Sequence, residues 1–497
     1  MTLVFQLFAS HAGRQEKSGR KFLPARARVN LQKSLSPVSP CHPEAGAYEV
    51  KVSYLRYKSQ LHTVQKSVTC DAKVSYLRCK RQLLTSRNPL AYEANYKRAV
   101  IKNRRKSFAV SYKRSIFAEK RDKMTQQNSK LPLGIQDFEE MRRDHYIYAD
   151  KTDIVWKLAN GTKYNYLSRP RRFGKSLLCS TLKCYFEGRK ELFEGLKIME
   201  LETEWVKRPV IYFSMSLGGS SAQTLTEYLN NVLSSYEKIY GRNPDEQSLG
   251  NRLNGIIQRA YEQAGVQIAI IVDEYDVPLQ YTYETDHHDA CREIYRNFFT
   301  GLKDYGYCIK CVFITGVTKF TQISMFGMLN TLVNISFRNE YAAICGFTKD
   351  EVICNFSEHL SELADNNAIT KSALIDTMSS IYGGYHFSRC LIGVYNPFSV
   401  CNALANLRLN SYWIASGSNE MLLKVLRKFI NEIPELDNCL IDSDYLEMSD
   451  VNIDDPKFFL YQSGYLTIKK VVGSSYMLGY PNREVRNAML GMSLPNS

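Results

Sequence analysis

The run Ile268-Ala-Ile-Ile-Val-Asp273-Glu274-Tyr275-Asp276 constrains the fold of this chain more than any other stretch. Its unbroken apolar residues leave no polar face, so a strand built from them is buried on both sides, as the strands of a parallel sheet with helices on both faces are. An open α/β sheet binds ligands at the carboxyl ends of its strands, and that is where Asp273 and Glu274 stand. The competing reading is a core strand that ends in solvated acids.

A second stretch, 97 residues before Asp273, favours the first reading. Tyr164-Asn-Tyr-Leu-Ser168 reads as a strand, Arg169-Pro-Arg-Arg-Phe173 as a turn, and Gly174-Lys175-Ser176 opens an apolar helical pattern. Backbone N–H groups at a helix start face an anion, a lysine there reaches β- and γ-phosphates, and a serine hydroxyl ligates Mg²⁺. The pattern selects Arg172, Phe173, Gly174, Lys175, Ser176 and Leu177 for the nucleotide and Ser176 with Asp273 for the metal. Glu274 is the candidate catalytic residue, polarising the attacking water. The first glycine of G-x-x-x-x-G-K-[ST] falls at Arg169, so Gly-Lys-Ser alone also fits an ordinary helix start.

The rest of the core alternates as a P-loop NTPase sheet does. Strands are expected at Pro209–Met215 and Cys308–Thr315, and helices at Thr152–Leu158, Lys175–Glu187, Thr224–Ile239, Leu249–Ala264 and His287–Tyr305. Extra strands between the lysine strand and the Asp-Glu strand fit the additional-strand class of these folds, by analogy. Thr315 and Thr318, at the end of the last strand, are candidate γ-phosphate sensors or turn caps. Arg171, Arg172 and Arg338 are candidate arginine fingers or partners of surface acids. His287 and His288 point about 100° apart on a helix, which argues for solvated surface over a shared metal.

Taken together, Pro132–Phe138, Tyr148–Thr152, Arg169–Ser176, Val272–Asp276 and Gly384–Phe387 resemble the bacterial AAA-ATPase-like proteins, over about Leu131 to Arg486. The resemblance implies an ATPase with ATP and Mg²⁺ as ligands. It also makes the arginine-rich loop a family trait and the segment before the core a lid over the base. Members often carry a C-terminal PD-(D/E)xK nuclease-like domain. Residues 481–497 hold Glu484 as their only acid and no lysine, so that domain is expected to be absent and this stretch a truncated tail.

Beyond Gly346 the pattern is mostly helical, with helices at Lys349–Ala364, Ser372–Ile381, Pro397–Leu407 and Glu420–Phe429. His386 reads as a satisfied core histidine. Phe458–Ser463 followed by Tyr465–Val472 and Tyr476–Tyr480 reads as a helix plus hairpin, a winged-helix-like unit over 346–480 after a core at 124–345.

Charge separates residues 1–123 from everything else. They hold 27 Lys+Arg against 7 Asp+Glu, a net of +20, and the remainder is −5. Lys51–Leu61 returns as Lys73–Leu83, too few and too polar copies to fill a stacked core, so the region is expected to be disordered. Interleaved Tyr54, Tyr57, Tyr76, Tyr92, Tyr96 and Tyr112 suit a DNA- or RNA-binding arm. The reading favoured here is an extension upstream of a native start at Met124, and a targeting peptide fits least. No apolar run reaches 18 residues, which gives no membrane span. Thirteen cysteines, an odd number, fit a reducing cytoplasm. The pattern assigns no oligomeric state. The expected function is a Mg²⁺-dependent ATPase, against a non-hydrolysing nucleotide-gated switch or nucleic-acid-binding module.

Overall fold

The computed structural model describes residues 130–319, 332–413, 420–448 and 455–493. The basic repeats and Met124 lie outside these residues.

The apolar run forms the strand its composition requires. In chain order the elements are α1 (Phe138–Arg143), α2 (Thr152–Ala159), β1 (Tyr164–Ser168), α3 (Lys175–Phe186), β2 (Val210–Ser214), α4 (Ala222–Tyr240), α5 (Leu249–Ala264) and β3 (Ile268–Asp273). There follow α6 (Val277–Thr282), α7 (His288–Phe299), β4 (Ile309–Gly316) and the short β5 (Val333–Asn334). All five strands run parallel in the order β2-β3-β4-β1-β5. The strand between the lysine strand β1 and the acid strand β3 is therefore β4. β2, which lies between them in sequence, is at the sheet's edge beyond β3.

Period-two alternation divides β3 between two cores. Ala269 and Ile271 pack with Leu178, Cys179 and Leu182 of α3 and with α1 and α2. Ile268, Ile270 and Val272 pack with Leu225 and Leu229 of α4, Ile256 and Ile257 of α5, and Tyr295 and Phe298 of α7. Each large apolar side chain so buried contributes about 1.5–3 kcal/mol, which is why helices cover both faces. Local signals set helix ends: the Ser248 side chain accepts from Asn251 N–H at the start of α5, and left-handed Gly265 ends it.

The chain continues as α8 (Lys349–Asn355), α9 (Ser357–Asn366), α10 (Lys371–Tyr382), β6 (Tyr385–His386), β7 (Gly393–Val394), α11 (Pro397–Asn406) and α12 (Glu420–Lys428). One helix was expected over Lys349–Ala364. It is broken at Phe356, whose ring is fully buried among Val352, Leu360 and Leu363. Next come β8 (Cys439–Asp442), α13 (Ser443–Met448), α14 (Pro456–Ser463), β9 (Thr467–Val472), β10 (Ser475–Gly479) and α15 (Arg483–Ser493). α14 and the β9–β10 hairpin match the helix-plus-hairpin reading, and β8 pairs with β10 as a third strand. Residues 483–493, read as part of a tail, are a helix whose Val485 and Met489 are fully buried. Tyr385, Phe387, Trp413, Phe458 and Tyr465 share one core with α3, so packing runs continuously from the nucleotide-type sheet into the C-terminal elements.

All ten cysteines among the described residues are free thiols. Two of them, Cys308 and Cys311, have C-x-x-C spacing at the start of β4 and are buried. No described helix is long and apolar enough to cross a membrane.

Candidate functional site

At the carboxyl edge of β1 the chain must turn into α3, and it does so through two left-handed residues, Arg172 (φ 68°) and Gly174 (φ 91°). A Cβ on Gly174 would meet nothing within 4 Å, so glycine serves the backbone angle there and not space. The turn aims the first residues of α3 at a cavity of about 480 Å³, lined by Arg171 through Leu178, by Glu274, Asp276 and Gln280, and by apolar residues including Ile135, Ile147, Phe347 and Pro397. The Lys175 ammonium is buried and donates to the Pro170 carbonyl at 3.2 Å. It has no salt-bridge partner among the described residues. Its hydrogen bond goes to a neutral carbonyl while the Glu274 and Asp276 carboxylates act on it through space, and an anion in the cavity would meet it at the head of α3.

Arg169, in the place of the missing glycine, does not face the cavity. Its guanidinium is fully buried and donates to the carbonyls of Ser168 (2.8 Å), Ser336 (2.9 Å) and Tyr341 (3.0 Å), with the Phe387 ring 4.3 Å away. It ties the loop to the chain beyond β5. This is why the loop can begin without a glycine.

The acids come from the end of β3. Asp273 is 3% exposed; Tyr212 donates to its Oδ2 at 3.4 Å, and its Oδ1 has no hydrogen-bond partner among the described residues. Burial, with Asp273 close by, holds the Cys179 thiol well above its usual range. Glu274 takes a left-handed backbone (φ 52°), a conformation rare outside glycine that clusters at functional sites, and it lines the cavity. Burial raises its pKa above the ordinary carboxylate value, as do the Asp273 and Asp276 charges, while Lys175 and Arg171 oppose the rise. Asp276 is fully buried, and its Oδ2 accepts from the Val317 (3.0 Å) and Thr318 (2.7 Å) N–H groups and from the Gln280 amide. Burial raises its pKa also.

Arg172, Phe173, Gly174, Lys175, Ser176, Leu177 and Glu274 are thus brought together on one cavity; Asp273 is buried and is not among its lining residues. Thr315 is not brought there: its hydroxyl donates to the Leu167 carbonyl at 2.8 Å, joining β4 to β1. The Thr318 hydroxyl accepts from Gln280. Arg338 is exposed and pairs with Glu340 at 3.7 Å, away from the cavity lining, whereas Arg171 lines it and reaches Gln280 at 3.3 Å. The His386 Nδ1 donates to the Ile468 carbonyl at 2.9 Å and burial lowers its pKa, as expected of a core histidine. Among the described residues no three His, Cys, Asp or Glu side chains form a metal-binding group, His287 and His288 included.

Sequence reasoning gave no role to two cavity residues, Lys151 within the Tyr148–Thr152 stretch and Trp413. Lys151 is buried and held by both Glu351 carboxylate oxygens at 2.7 and 2.8 Å. Trp413 lines the cavity and donates its indole N–H to the Arg171 carbonyl at 3.1 Å. No periodicity or spacing marks either, because their partners lie 200 or more residues away.

Comparisons with known proteins give three likenesses. Residues 132–326 match the family described as AAA-ATPase-like, "Predicted AAA-ATPase". A protein of Azotobacter chroococcum mcd 1, "Uncharacterized protein in vnfD 5'region", is 32% identical over 372 residues, spanning 72% of this chain and 69% of the relative. Among solved structures, the Aeropyrum pernix ORC2 protein in ADPNP–ADP complexes overlaps 74% of this chain and 97% of its own, at 10% identity and a TM-score of 0.26.

Proposed function

This chain belongs to the AAA-ATPase-like family, and from that premise we propose that it binds ATP in the 480 Å³ cavity and hydrolyses it with Mg²⁺. The observation that carries the reading is Lys175, a buried ammonium at a helix start on the cavity wall, hydrogen-bonded to a backbone carbonyl. The phosphates would take the polar end of the cavity, against Lys175 and the N–H groups opening α3.

The residues present fit a divalent cation: Asp273 offers a buried carboxylate oxygen with no hydrogen-bond partner among the described residues, and Ser176 offers a half-buried hydroxyl on the cavity wall. Ser176 and Asp273 would hold Mg²⁺, directly or through water. When bound, the ion neutralises charge on the phosphate oxygens. Glu274 takes a proton from the water whose oxygen bonds to the γ-phosphorus, while the bond from that phosphorus to the bridging oxygen breaks and ADP leaves. Its raised pKa makes it a stronger base than a solvated glutamate. Arg171, on the cavity wall, would offset charge on the leaving phosphates.

Glu274→Gln should retain ATP binding and slow phosphate release by about 10²–10⁴-fold, as expected for removing a general base. Wild-type turnover in that variant would move the role to Asp276. Tight ATP binding without turnover by the wild-type chain would support the nucleotide-gated switch instead. The free thiols suit a cytoplasmic setting.

A further inference from the structure

The phosphate loop is held by more than its own bonds. Between β1 and α3 it passes through a left-handed Arg172, a backbone that a non-glycine residue keeps only when its surroundings impose it. Those surroundings are C-terminal elements. The Gly346 N–H donates to the Phe173 carbonyl at 3.1 Å. The Phe173 ring meets Tyr385 edge-on at 4.8 Å and Phe387 at 5.6 Å. The Arg172 guanidinium lies 4.9 Å from the Phe398 ring of α11. Gly464, left-handed at the end of α14, approaches so closely that a Cβ would come within 2.7 Å of Pro170.

At the centre of these contacts is Trp413. Its indole N–H holds the Arg171 carbonyl, and its ring packs on Tyr465 at 5.0 Å and Tyr385 at 6.4 Å. Its own backbone N–H donates at 2.7 Å to the Glu484 carboxylate of α15, which also accepts from Ser399 of α11 at 3.0 Å. A continuous chain of polar contacts thus runs from α15 and α11 through Trp413 to the backbone between Arg169 and Lys175.

We infer that Trp413 is a positioning residue for phosphate binding: the C-terminal elements set the shape of the phosphate loop through its indole, and a nucleotide that reshapes the loop is felt by those elements in return. Coupling of this kind is reciprocal by thermodynamic necessity. The inference rests on the ATP reading of the cavity.

The test uses the full chain. Trp413→Phe keeps an aromatic ring and removes the N–H. One hydrogen bond of ordinary net worth corresponds to about 3- to 10-fold in affinity. ATP affinity by calorimetry should fall by that factor, while adenosine, which has no phosphates, should bind as to the wild type. A merely structural role would weaken both ligands alike. Equal ATP affinity in variant and wild type, or parallel loss of ATP and adenosine, would overturn the inference. Failure of the wild type itself to bind ATP would instead overturn the nucleotide reading. Should Trp413→Phe not fold, a chain carrying Trp156→Phe and Trp205→Phe leaves Trp413 as the sole indole of the three. Its emission should change on adding ATP and not on adding adenosine. No change with ATP present at saturation would count against the coupling.

Discussion

Replacing Arg169 by glycine would restore the G-x-x-x-x-G-K-S spacing, yet the structure says the change should damage the protein. The guanidinium gives three hydrogen bonds to carbonyls and stacks on Phe387, all buried. Bonds from a charged donor are worth about 1.5–3 kcal/mol each, and a desolvated cation–π contact about 2 kcal/mol. Against these stands the cost of burying the charge, which lowers the pKa of Arg169. Removal takes a donor from the Ser168, Ser336 and Tyr341 carbonyls, of which Tyr341 still accepts from the Ile344 N–H at 3.2 Å, and leaves a cavity, so the net loss should be about 3–5 kcal/mol. With an unfolding entropy of about 2.1 cal/mol/K per residue over roughly 370 residues, that is a fall of about 4–6 °C in melting temperature. Calorimetric melting of the wild type and Arg169→Gly is the assay. A melting temperature unchanged within about 1 °C, or a gain in ATP affinity, would refute the anchoring role.

Three further outcomes are expected. Because burial raises the Glu274 pKa and the base must be ionised, hydrolysis should rise with pH along a limb above the ordinary carboxylate range, and Glu274→Gln should abolish that limb in a pH–rate profile. Asp276 has a folded pKa above its unfolded one, so its contribution to stability is full below the unfolded value and lost as pH rises through the folded value; melting curves should show wild type gaining on Asp276→Asn on acidification from neutral pH. If residues 1–123 bind DNA or RNA through their +20 charge alone, binding should fall steeply with salt, and deleting them should remove that dependence in a filter-binding titration.

Much of the sheet was legible because its determinants are local. The α5 boundaries, Leu249–Ala264, follow from an amphipathic run between a serine cap and a glycine stop. The run at Ile268 needed only burial to become β3. The spatial order of the strands was not legible, since hydrogen bonds between β1 and β4 join residues nearly 150 apart. The site divides the same way. Gly174, Lys175 and Ser176 act through one turn of backbone, and their spacing shows it. Thr315 stands on the right strand, but which way its hydroxyl turns depends on Leu167, a residue on the neighbouring strand. Arg169 read as a missing glycine because its partners at Ser336, Tyr341 and Phe387 come from beyond the sheet.

Whether Lys175 holds nucleotide phosphates is decided by titrating ATP with Mg²⁺ into wild type and Lys175→Ala by calorimetry. Loss of a charge-assisted contact of about 1.5–3 kcal/mol predicts affinity about 10–100-fold weaker in the variant. Equal ATP affinity in the two proteins would contradict it.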